Sequence, residues 1–132
     1  MATIINASPT NGLTQTADGS GQIKLQSNGV TTNALAWVNF DGTLTGTITP
    51  RASYNITSVV KSATGTYTLN FSNTLSDANY VMVGSSVFVG GYTSSVTIET
   101  TSQSSSACNI VVLSYNASGV DRTQVQVAIF GN

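Results

Sequence analysis

The chain's stock of conventional catalytic side chains is five carboxylates and one thiol, with no imidazole: Asp18, Asp41, Asp77, Glu99, Asp121 and Cys108. Two carboxylates about 5–10 Å apart can cleave a glycosidic bond, one as acid and the other as base or nucleophile. Four of these acids, Asp18, Asp41, Asp77 and Asp121, stand in turn sequences, where an aspartate ordinarily accepts hydrogen bonds from nearby backbone N–H groups. Glu99 ends a strand-like run on its polar side. Cys108 lies in "ACNIVVLSY" between apolar neighbours, with no histidine to activate it. It reads as a small buried hydrophobe, and being alone it closes no internal disulfide.

Metal and phosphate chemistry fare no better. Without histidine only an oxygen-ligand site is open, and no "DxDxDG" loop occurs. The "GSG" at 19–21 has no following helix or lysine to cradle a phosphate. Asn-x-Ser/Thr triplets, among them those at Asn55, Asn70 and Asn116, are what chance yields in a chain so rich in these residues. No enzyme activity, no metal and no cofactor is expected. Residues suited to binding remain. Phe88 and Tyr92 flank the flexible Gly90-Gly91 pair in "VFVGGYTSS", and an aromatic on such a loop can stack on a sugar ring. Tyr115 and Asn116, opening the "NASG" turn, are a second candidate for receptor or glycan contact.

Composition narrows the partners. Charged residues make up 7% of the chain, far below the roughly 25% usual for soluble domains. Thr, Ser, Asn and Gln fill their place, supplying 56 of the 132 residues. A neutral, hydrogen-bonding surface repels its neighbours weakly, which suits packing into an assembly. The four basic residues (Lys24, Arg51, Lys61, Arg122) are scattered, so no phosphate-binding cluster forms and nucleic acid is not an expected partner. No run approaches the roughly 20 apolar residues a membrane-spanning helix needs, so no membrane insertion is expected. "MATIINASPTNG" lacks a basic segment and a long apolar one and does not read as a secretory signal.

The elements that would position these residues are strands. Helical periodicity is hard to find, and Gly, Asn, Ser and Asp interrupt short alternating runs every 8 to 12 residues or so, the spacing of an all-β sandwich or barrel. Strands are expected over "ATIIN", "GQIKLQS", "ALAWVNF", "LTGTIT", "SYNITSVV", "GTYTLNF", "NYVMVGSSVFV", "SSVTIET", "CNIVVLSYN" and "TQVQVAIFG". "GTYTLNFSNTLSDANYVMVGSS" (65–86) looks hairpin-like, with Tyr67, Leu69 and Phe71 on one face. "ASGVD" (117–121) is expected to join the last two strands as a hairpin, and "TSQSSS" (101–106) to be an exposed loop. Residues 1–33 are poor in large apolar groups and read as an extended attachment arm. Residues 34–132 hold every Trp, Phe and Tyr and read as the compact body.

"AWVNFDG" (36–42) followed by "RASYNITSVVKSATGTYTLNFSNTLSDANYVMVGSS" (51–86) resembles a module at the distal ends of bacteriophage tail fibres and related virion appendages. Trp37, Asn39, Phe40, Arg51, Ser53, Tyr54, Asn55, Gly65, Tyr67, Asn70, Phe71, Asp77, Ala78, Asn79 and Tyr80 carry the likeness. "NGLTQTADGSGQIKLQSNGVTT" (11–32) is similar to short β segments near the start of phage fibre proteins. The resemblance implies a virion protein, a homotrimer with a jelly-roll-like β-sandwich knob, whose scaffold is built by Trp37, Phe40, Tyr54, Tyr67, Leu69, Phe71 and Tyr80. The expected function is a short tail fibre or tip that binds a host surface receptor or glycan beside other virion proteins, at the tail before the capsid. The alternative is a capsid decoration or head-fibre protein docking on the shell through its N-terminal arm.

Overall fold

The computed structural model describes residues 25–27, 30–87 and 97–131, and every helix-or-strand element in them is a β-strand. A short ladder pairs β1 (Gln26–Ser27) with β2 (Val30–Thr31). The body follows as β3 (Ala36–Phe40), β4 (Thr47–Ile48), β5 (Ala52–Tyr54), β6 (Ile56–Ala63), β7 (Thr66–Phe71), β8 (Val81–Val87), β9 (Thr97–Gln103), β10 (Ala107–Leu113) and β11 (Gln124–Phe130). These form two antiparallel sheets, one ordered β4-β6-β7-β10-β9 and the other β5-β3-β11-β8. The expected strands over 2–6 and the acid Asp18 lie outside the described residues, as does most of the expected arm.

Alternation builds the core. In β7, Tyr67, Leu69 and Phe71 point inward, at 0%, 0% and 8% exposure, while Thr66, Thr68 and Asn70 stay half-buried. β10 contributes Cys108, Ile110 and Val112, and β11 contributes Val125, Val127 and Ile129, each set at spacing two. The two inner faces share one cluster, into which Leu35, Leu75 and Tyr80 are drawn from the connections. Edge-to-face ring pairs brace it: Phe40–Tyr67 at 5.0 Å between centroids and Phe71–Tyr80 at 5.9 Å, each contributing on the order of 1 kcal/mol beyond burial. Desolvation pushes the Cys108 thiol and the Tyr80 phenol above their ordinary values, so both stay neutral inside the cluster.

The connections depart from the sequence reading in four places. "SYNITSVV" is two strands. Asn55 sits between them with φ 54°, in the left-handed region, and β5 and β6 belong to different sheets. β7 and β8 likewise belong to different sheets, so residues 72–80 form a crossing and no hairpin; nine residues readily span two sheets about 10 Å apart. β10 and β11 are also in different sheets, and "ASGVD" turns back on β10 through a bridge between Leu113 and Gly119 before crossing. Finally, "TSQ" of the expected loop at 101–106 continues β9 to Gln103. Its backbone pairs with β10 around a bulge at Asn109/Ile110, and only 104–106 turn. Within the two large sheets, consecutive strands pair directly in β6–β7 and β9–β10.

Candidate binding face

β3 fixes the orientation of the candidate face. Ala36, Val38 and Phe40 are 0%, 2% and 0% exposed, so Trp37 and Asn39 must point the opposite way. Trp37, expected in the core, is 40% exposed on the outer surface of the four-stranded sheet. Tyr54, also expected inside, is only half-buried and stands opposite Trp37 in register. The parity of the sequence carried the signal: Trp37 shares its side of the strand with the polar Asn39, two residues on. Reading an aromatic as core by type alone missed it.

Ladder registry sets the outer rows. Tyr54, Trp37, Ala128 and Val83 stand side by side across β5, β3, β11 and β8. The next row is Ala52, Asn39, Gln126 and Ser85. Ala128 is small beside the indole, and with Ala52 and Gly84 it leaves a shallow hollow of ≈ 480 Å³ against Trp37, Asn39 and Gln126. Ser85 Oγ donates to Gln126 Oε1 at 3.0 Å. Asn39 Oδ1 is buried with no hydrogen-bond partner among the described residues, an orphaned acceptor that costs the free protein about 1–3 kcal/mol. Beyond the hollow, Phe130 faces Val81, and Val81, Val83 and Val87 are 65%, 52% and 45% exposed. No Asp, Glu, Lys or Arg occurs in the four strands. At the end of β3 and the start of β5, Asp41 and Arg51 neutralise each other at 3.0 Å. The outer face is thus partly apolar, with interspersed amides and no charge in its strands, which makes it the candidate binding surface.

The second polar constellation is structural. Lys61 Nζ donates to Asp121 Oδ2 at 2.6 Å and to the Gly42 carbonyl at 3.1 Å. The Gly65 N–H donates to Asp121 Oδ1 at 2.9 Å. The Tyr67 hydroxyl lies 2.8 Å from the Gly42 carbonyl and 3.1 Å from Asp121 Oδ1, so one proton serves two acceptors. Burial and the Asp121 charge push the Tyr67 phenol far up. Burial also pulls the Asp121 carboxyl up, but the hydrogen bonds from Lys61, Gly65 and Tyr67 outweigh it and hold the carboxyl below its ordinary value. Asp121 thus ties β6, β7 and the 42 loop together and is no local turn cap, contrary to its sequence context. Asp41 and Asp77 do cap locally: Thr43 donates to Asp41 Oδ1 from its hydroxyl at 2.6 Å and its N–H at 3.0 Å, and Asn79 N–H to Asp77 at 2.6 Å. Among the described residues no group of three or more His, Cys, Asp or Glu could hold a metal ion.

The loop candidates separate. Phe88 and Tyr92 lie outside the described residues. Tyr115 is 84% exposed at the tip of the 114–118 turn, which leaves β10 of the other sheet, and it does not join the hollow. The Asn116 side chain accepts from Ser114 Oγ within that turn, and so helps shape it. Comparison with known proteins finds no matching family model, no matching curated protein and no matching solved structure. The functional reading therefore rests on this chain's own surface.

Proposed function

We propose that this chain is a virion appendage protein of the short tail-fibre or tip type, acting by binding a host surface receptor and not by catalysis. The outer face around Trp37 carries the reading: a charge-free, partly apolar surface held on four hydrogen-bonded strands. A rigid sheet presents its side chains without the ordering cost a loop would incur on binding. The charge-poor composition supports packing into an assembly, in this reading a homotrimer, and three linked copies of a weak site bind jointly far more tightly than one. Residues 1–33, poor in large apolar groups, serve in this reading as the arm that docks on neighbouring virion proteins.

Gold-labelled antibody against the chain, viewed on intact phage particles by electron microscopy, tests the reading. Label is expected at the distal tail end. Label over the capsid would transfer the chain to shell decoration, and unlabelled particles would remove it from the virion altogether.

A further inference from the structure

We infer that the hollow beside Trp37 is a subsite for an uncharged pyranose chain; the inference rests on the reading of this face as the receptor-binding surface. A pyranose ring presents an apolar C–H face and a rim of hydroxyls, each able to donate and accept. The hollow matches both halves. Trp37, exposed and flanked in register by Tyr54, offers the flat aromatic surface on which such a C–H face stacks. Along the next row, Ser85 gives its proton to Gln126 Oε1, which leaves the Gln126 Nε2 protons and the Ser85 lone pairs for sugar hydroxyls. Asn39, in the same row, lines the hollow as well. Ala128 and Ala52 keep the floor low enough for a ring to settle against the indole.

The absent charge selects the class. No Lys or Arg lies in the four strands and the neighbouring Arg51 is already paired with Asp41, so no unpaired cation stands in the hollow to neutralise a sialic acid, uronic acid or sulfate, and desolvating such a group there would be unfavourable. An anionic glycan is therefore disfavoured. The hollow is shallow and open, so it admits a chain as well as a terminal sugar.

Trp37 is the chain's one tryptophan, so its fluorescence reports from the site itself. The purified full chain is screened on an array of neutral glycans (dextran, malto-, cello- and galacto-oligosaccharides) and sialylated or sulfated counterparts, and hits are titrated by fluorescence. Binding is expected to neutral members only, with a change in Trp37 emission and an affinity flat with pH between about 5 and 9 and insensitive to salt. Trp37→Ala is expected to weaken it at least tenfold by calorimetry and Gln126→Ala about fivefold, with thermal melting near that of the parent, since both side chains lie outside the core. Selective binding of anionic glycans, or neutral-glycan binding that survives Trp37→Ala, would overturn the inference. So would no binding at all, or self-association that Trp37→Ala abolishes. If the array stays silent while Trp37→Ala still abolishes binding of the chain to host cells, the subsite class falls and the receptor reading stands. If the array responds but particles carry no label, the reverse holds.

Discussion

At the residue scale the most consequential side chain for the fold is one that sequence patterning presents as ordinary. Asn55 occupies the corner at which the chain leaves the four-stranded sheet for the five-stranded one, at φ 54° and 9% exposure. Asparagine tolerates that backbone region better than most residues. Its amide then binds two segments: Nδ2 donates to the Leu35 and Asn73 carbonyls at 3.1 and 3.2 Å, and Oδ1 accepts from Asn73 N–H at 2.8 Å. Asn55→Ala removes all three bonds and keeps the unfavourable φ, and is expected to destabilise the fold by about 3 kcal/mol. Asn55→Gly relieves the backbone but not the lost bonds, so it should fall between the two. Urea unfolding of the three proteins checks the order; an alanine variant as stable as the parent would show that the corner does not depend on the amide.

At the element scale the β6–β7 hairpin is pinned by its turn. Gly65 has φ +69°, and a Cβ there would come within 2.5 Å of Val120 N and 2.7 Å of Val112 O, both backbone atoms that cannot rotate away. Its N–H and carbonyl are occupied too, by Asp121 and by Val112 N–H. Gly65→Ala is therefore expected to cost about 2–4 kcal/mol and to lower the thermal midpoint by well over 5 °C. A variant melting with the parent would mean that the turn can open away from 112–120 without loss. The strands themselves were legible, because alternation in "TYTLNF" and "QVQVAIF" states both period and inward face. Their assignment to sheets was not. Whether residues 72–80 turn back or cross depends on Leu75 and Tyr80 finding the core, a tertiary fact with no local pattern. The same holds for the face: Trp37 and Asn39 declared a shared side by parity, but the rows they form with Ala128, Gln126 and Ser85 come from ladder registry between segments far apart in sequence, Asn39 with Gln126 and Gln126 with Ser85.

At the scale of the whole molecule, so few charges make acid response a local matter. With five acids and four bases, protonation adds little general repulsion, so sensitivity to low pH should trace to carboxylates with native partners. Asp121 is the best connected of those described, and its carboxyl is held below the ordinary 3.8 by Lys61, Gly65 and Tyr67 against the upward pull of burial. A depressed folded value means that the unfolded chain binds the proton first. The stabilisation is therefore complete above about pH 5 and is lost as pH falls through the folded value, below 3.8. Asp121→Asn removes that dependence and leaves the Lys61 ammonium, whose side chain is 11% exposed, with the Gly42 carbonyl. It should cost about 2 kcal/mol at pH 7, less than breaking a fully enclosed pair because Asp121 keeps 30% of its side chain exposed. Urea midpoints measured from pH 7 to pH 2.5 should then fall for the parent below pH 4 and stay nearly level for the variant, the two curves converging at the acid end. Parallel curves would show that another carboxylate governs the acid limb and that the Asp121 hub is held by geometry and not by its charge.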